Sequence, residues 1–81
     1  MEHKTQDQLL KELEIAKTRV VVGGHYAHYK HPDKKEYQVI GLAIYENTEE
    51  ICVIYKSLST GISWIRTVDN FLENKRFELA V

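Results

Sequence analysis

Two short blocks hold most of the side chains that could do chemistry. Residues 25–35 carry His25, Tyr26, His28, Tyr29, Lys30 and His31, and residues 63–67 carry Trp64 and Arg66. Aromatic faces beside an arginine and a lysine can stack on a base or hold an anion above a ring. Arg66 adds a planar fork suited to phosphate or carboxylate. Tyr26, His28, Tyr29, Lys30, Trp64 and Arg66 therefore form the candidate ligand-binding set. Each also has a structural role open to it. Trp64 and one tyrosine could fill a core, while Arg66 could pair with an acid such as Glu73 or cap a turn at Thr67.

Other chemistries have less to stand on. Imidazole is the commonest metal ligand, and His25, His28 and His31 invite that reading. On a strand, however, His28 faces away from the other two, and no cysteine or second ligand cluster lies nearby. Cys52 sits between Ile51 and Val53 in an apolar stretch and reads as a small buried hydrophobe. Ser57, Ser59, Thr60 and Ser63 flank a turn without a histidine–aspartate pair at a recognisable spacing. Gly23-Gly24 is too short to cradle a phosphate. No metal, cofactor or catalytic set is expected.

The whole-chain balance sets the background for these blocks. With 81 residues, 11 basic and 12 acidic side chains and a net charge of -1, no global field draws the protein to nucleic acid or an acidic membrane. The only cationic bias lies in residues 25–35, and it grows below the histidine pKa of about 6.5. A 43% hydrophobic, 28% charged composition is that of a globular domain. No apolar run approaches the ~18 residues of a membrane span, and residues 1–4 lack the apolar stretch of a signal peptide. One cysteine permits no internal disulfide, which favours a reducing, cytoplasmic setting. A single small domain over 1–81 is expected, with a helical segment at 1–19 and a β-barrel at 20–81.

The elements that must position the blocks follow from periodicity. Thr5 and Gln8 form a capping box, and Leu9, Leu13, Ala16 and Val20 recur on one helical face widened by Leu10. A helix is predicted over about 6–18, supported by an Asp7–Lys11 pair and by Lys17 and Arg19 at its C-terminal end. Its stripe packs on the barrel or, alternatively, makes a homodimer or partner contact through Leu9, Leu10 and Leu13. A short strand over 25–30 and a turn at His31-Pro32-Asp33-Lys34 come next. A long strand over 36–45 then places Tyr37, Val39, Gly41, Ala43 and Tyr45 on one side, with Gly41 marking a bulge or bend. Strands over 51–58 and 63–67, a capped turn of helix after Thr67 and a last strand over 76–81 complete the chain. Turns at this spacing predict a mainly β fold: a small antiparallel barrel preceded by one amphipathic helix.

Five blocks carry a family likeness. Gly24-x-Tyr26-x-His28-Tyr29-Lys30, Tyr37-x-Val39-Ile40-Gly41-x-Ala43, Val53-x-Tyr55-x-Ser57-Leu58, Trp64-x-Arg66 and Phe71 occur in the order of a known pattern. The chain over about 22–78 resembles the bacterial domain-of-unknown-function family 1653. The resemblance implies an SH3-like small barrel and no established activity. Two departures bear on chemistry. Tyr45-Glu46-Asn47-Thr48 stands where the family usually has His-Ser-Glu-Thr, and Thr67 stands where it usually has proline. A reaction that needed that histidine or serine is not carried here. The reading that results is a non-catalytic binding module for a nucleotide, a nucleic-acid backbone or another anionic group. A protein-interaction or assembly domain using the helix is the alternative.

Overall fold

The computed structural model describes residues 3–80. Helix α1 (Gln6–Arg19) is followed by β1 (His25–His28), β2 (Tyr37–Tyr45), β3 (Glu50–Ser57) and β4 (Ser63–Thr67). A one-turn helix α2 (Val68–Leu72), a 3-10 turn (Glu73–Lys75) and β5 (Phe77–Leu79) end the chain. The strands form one antiparallel sheet in the order β4-β3-β2-β1-β5. The fold is therefore mainly β with an N-terminal helix, as the periodicity predicts. The sheet does not close: β4 and β5 are its two edges. On the core side of this seam lies α2, whose Phe71 packs with Tyr26, Tyr55 and Phe77.

Capping fixes where α1 starts. Thr5 Oγ1 accepts from the Gln8 N–H at 3.1 Å, and the Gln8 side chain accepts from the Thr5 N–H at 2.8 Å, the reciprocal box expected. Ala16 and Val20 enter the core, and Leu9 and Leu13 are half-buried. Leu10 does not widen the buried stripe; it is 60% exposed. The Asp7–Lys11 pair is not among the ion pairs of the described residues; Lys4 instead bonds Glu12 at 2.9 Å. Two long-range contacts fix the helix: the Lys4 N–H donates to Glu49 on the β2–β3 turn, and Arg19 pairs with Asp69 on α2 at 2.9 Å. Helix and sheet thus share one core.

The bulge in β2 controls which side chains look inward. Val39 pairs with Tyr55, yet Gly41 pairs with Ile54, so Ile40 is the extra residue. The inner face therefore switches from Tyr37 and Val39 to Leu42 and Ile44, which lie opposite Val53 and Ile51. The single alternating set expected over 36–45 is broken at this point. Gly41 has nothing near a would-be Cβ, so it flanks the bulge without being required by sterics. Gly24 is different: a Cβ there would meet Leu79 Cδ1 at 2.9 Å and the Val21 carbonyl oxygen at 3.0 Å. Close passage of the chain before β1 beneath β5 requires a glycine at that point.

Candidate functional site

The inner face of the sheet gathers aromatic rings from every layer. Tyr26 and His28 on β1 share this face with Tyr37 on β2, Tyr55 on β3, and Phe77 on β5. His28 lies opposite Phe77, with ring centroids 5.0 Å apart, and Tyr29 packs on its other side at 4.5 Å. Tyr37 and Tyr55 meet Phe77 edge-on at 5.3 and 5.1 Å. His28 closes the open end of this stack, half-buried between core and solvent.

Around His28 the chain concentrates positive charge. Burial first, then Lys30, Arg66, Arg76 and His31, hold its imidazole below the usual 6.5. These cations come from three separate stretches: the turn after β1, strand β4 and the loop before β5. The Lys30 N–H donates to His28 Nδ1 at 3.2 Å, which leaves the proton of neutral His28 on Nε2. Lys30 Nζ itself sits 5.8 Å from the centre of the exposed Tyr29 ring.

Each arginine is positioned by neighbours on its own side. Arg66 lies opposite the fully buried Val53, so it enters from the inner face. Its Nε donates to the Tyr55 hydroxyl at 3.0 Å and its Nη1 to Asn70 Oδ1 on α2. Glu73 reaches it only through Asn70, whose Nδ2 donates to Glu73 Oε2 at 3.4 Å. The direct Arg66–Glu73 pair weighed from the sequence is not formed. Arg76 Nε is buried without a hydrogen-bond partner, while the Arg76 carbonyl accepts from the Tyr29 N–H at 2.9 Å. Asn74 and Lys75, just before it, both hold left-handed backbone, with φ of 51° and 55°. Such conformations are strained for residues other than glycine and persist where surroundings over-determine them.

Two hollows flank the histidine. One of about 350 Å³ is lined by His28, His31, Lys34, Glu36, Tyr37 and Ser59. Its Glu36 carboxylate accepts from the hydroxyls of Ser57 and Ser59, which hold the carboxyl below its usual 4.5. The other, about 260 Å³, is lined by His28 with Ala27, Tyr29, Asn74, Lys75 and Glu78; a third, about 270 Å³ and lined by Tyr29, Glu73, Asn74 and Arg76, shares Tyr29 and Asn74 with it. A larger hollow of about 730 Å³ lies by Leu9 and the β2–β3 turn. Size alone would favour it, but His28 and Glu36, both of displaced acidity, line the first hollow. Perturbed groups converging on one hollow mark a functional site better than volume does.

The six sequence candidates divide accordingly. His28, Tyr29 and Lys30 are contiguous, and Arg66 reaches them electrostatically across the sheet. Trp64 is 51% exposed, opposite Tyr55 on the same inner face, and makes no ring contact among the described residues. Tyr26 leaves the reachable set. It is 3% exposed, its ring is edge-on to Phe71 at 5.2 Å, and its hydroxyl accepts from the Val21 N–H at 3.0 Å. Arg76 is the residue sequence reasoning missed, because a cation at the mouth of a short last strand reads as solvated. Its only signal was its place beside Phe77. Cys52 is buried, and burial pushes its thiol up, away from nucleophilic character. Among the described residues, no three His, Cys, Asp or Glu side chains stand close enough to share a metal ion.

A family model described as a protein of unknown function (DUF1653) matches residues 24–79. The chain belongs to DUF1653. The match begins at Gly24, ahead of β1, and runs through β5, so the DUF1653 region contains His28, both arginines and the Trp64 strand, while α1 lies outside it. No curated protein and no solved structure gives a significant match to this DUF1653 chain. Among its described residues, no helix is long and apolar enough to cross a membrane.

Proposed function

We propose that this DUF1653 protein is a single-domain, non-catalytic binding module of SH3-like type that takes an anionic ligand at the His28 end of the sheet. Lys30, Arg66 and Arg76 supply the charge, and the exposed Tyr29 ring supplies a stacking surface, with Trp64 at the far rim. The observation that carries this reading is the hollow that His28 lines with His31 and Lys34, beside the Lys30 N–H bonded to its imidazole, with Lys30, Arg66 and Arg76 all opposing its protonation. Like charges gathered around a partly desolvated group repel one another, so the arrangement costs stability until an anion arrives. The buried, unpartnered Arg76 Nε and the strained Asn74–Lys75 backbone beside it fit the same account. Phosphate, a nucleotide or a nucleic-acid backbone matches the charge, and a nucleotide base matches Tyr29. A buried lone thiol suits a reducing, cytoplasmic environment.

The test is a titration of isotope-labelled protein with inorganic phosphate, mononucleotides and short oligonucleotides, followed by NMR. Saturable shifts centred on His28, Tyr29, Lys30, Arg66 and Arg76 are expected. No shift at these residues with any of the three would overturn the proposal.

A further inference from the structure

Strand β4 is a free edge of unusual character. Natural edges are blunted by proline, lysine, bulges or brevity. The opposite edge, β5, is three residues long and carries the exposed Glu78. β4 has no proline, lysine or bulge, and its one charge, Arg66, is turned to the inner face and tied to Tyr55 and Asn70. It is five residues, Ser-Trp-Ile-Arg-Thr, in unbroken register with β3, and Trp64 and Ile65 are 51% and 58% exposed.

The hydrogen-bond alternation says which backbone groups this edge offers. The Ser57 N–H donates to the Ile62 carbonyl at 2.9 Å, so the hydrogen-bonded pairs with β3 continue at Tyr55–Trp64 and Val53–Arg66. The N–H and C=O of Ile65 therefore point away from β3, into the space beside the edge. Ile65 is also the middle residue of the strand.

The geometry points to a homodimer in which β4 pairs antiparallel with β4 of a second copy about a two-fold axis at Ile65. A centred register sets Ile65 against Ile65 of the second copy, exchanging both backbone hydrogen bonds. It sets Ser63 against Thr67, and Trp64 against Arg66 of the second copy, each pair twice over. This register pairs the whole strand with itself. Trp64 and Arg66 face the inner side, where a directly opposed pair brings a cation onto an indole face. Arg66 is already held by Tyr55 and Asn70, so the indole meets a guanidinium fixed in position. On the outer side Ile65 meets its own copy, extending the Ile54–Ile65 cross-strand pair into a continuous apolar row. The contact is isologous, so it closes at two copies instead of growing into a fibre. A five-residue edge covers less than the ~1,200 Å² of a stable complex, so association is weak and concentration-dependent. The dimer places Trp64 of the second copy against Arg66 of the anion site. The pairing itself stands independently of the ligand reading, since it rests on the edge alone.

Four variants of the full chain test it. Ile65→Cys places two thiols across a hydrogen-bonded antiparallel pair with Cα atoms about 5.5 Å apart, inside disulfide range. Mild oxidation is expected to cross-link it, while Ser63→Cys, which faces Thr67 instead of itself, stays uncross-linked; buried Cys52 is common to both. Ile65→Pro removes an N–H that β3 does not use, so the fold survives by circular dichroism. Sedimentation at millimolar concentration is expected to show wild-type dimer and Ile65→Pro monomer. A monomeric wild type overturns the proposal, as does a dimer that persists in Ile65→Pro or equal cross-linking at positions 63 and 65. A dimer abolished by Leu10→Lys and unaffected by Ile65→Pro overturns it in favour of α1. The phosphate titration is read at His28, Tyr29 and Arg76, away from β4, and the variants are read by oligomeric state, so the two proposals fail separately.

Discussion

Replacing Phe71 by alanine probes how core and site depend on each other. Phe71 is fully buried on the one-turn helix α2, stacked on Phe77 at 4.4 Å and packed against Tyr26 and Tyr55 at 5.2 Å each. A buried aromatic removes roughly 150–250 Å² from water, worth about 4–6 kcal/mol at ~25 cal/mol/Å² as an upper bound. Measured Phe→Ala losses of about 3–5 kcal/mol agree with that range. An 81-residue domain at about 0.05–0.15 kcal/mol per residue has only ~4–12 kcal/mol in total. Phe71→Ala is therefore expected to remove a quarter or more of the stability, and Phe71→Leu clearly less. The same ring anchors the helix carrying Asn70, which holds Arg66, so the loss extends to the site. Urea unfolding followed by circular dichroism measures the first effect, and the Arg66 Nε resonance in Phe71→Leu measures the second. A cost below about 1 kcal/mol for Phe71→Ala would refute the view that α2 completes the core beside the seam.

Acidification gives a second prediction. His28 is held below its usual 6.5, so the unfolded chain takes up that proton first; its contribution is intact above about pH 6.5 and lost as pH falls toward the folded value. His28→Gln should flatten that part of the stability curve, and Glu36→Gln the part below pH 4.5, where protonation breaks the Ser57 and Ser59 bonds. Curves parallel to wild type would contradict both assignments. Glycine substitutions should separate by geometry: Gly41→Ala is neutral or mildly stabilising, while Gly61→Ala, at φ 76°, and Gly24→Ala, against the Val21 carbonyl, each lower the urea midpoint. Arg66→Lys cannot reproduce the fork to Tyr55 and Asn70 and should cost on the order of 1–2 kcal/mol. An unchanged midpoint there would show that the two bonds hold nothing in place.

What the sequence made legible was local. Thr5 and Gln8 specify the start of α1, and Thr67 caps α2 by accepting from the Asn70 N–H at 3.1 Å, because these bonds span three residues and need no tertiary partner. Ser63–Thr67 is a strand where alternation predicts one. The inward face of β2 was not legible beyond Val39, since a bulge at Ile40 depends on pairing with β3 and reverses every side chain after it. Tyr26 reads equally as a surface or core residue until the Val20–Gly24 segment folds back and satisfies its hydroxyl. Arg76 joins the site only because β5 returns beside β1, a contact across some fifty residues. The departures at Tyr45, Glu46 and Asn47 fall on the β2–β3 turn, well away from the His28 cluster, so they leave the proposed anion site intact.

The central claim is that the cations around His28 are assembled to receive an anion. Following the His28 ring protons by NMR across pH, with and without inorganic phosphate, tests it most directly. Bound phosphate opposes the surrounding positive charge, so the midpoint should rise toward or above the ordinary histidine value, saturably, with Tyr29, Arg66 and Arg76 shifting together. Superimposable curves at every phosphate concentration would contradict the account.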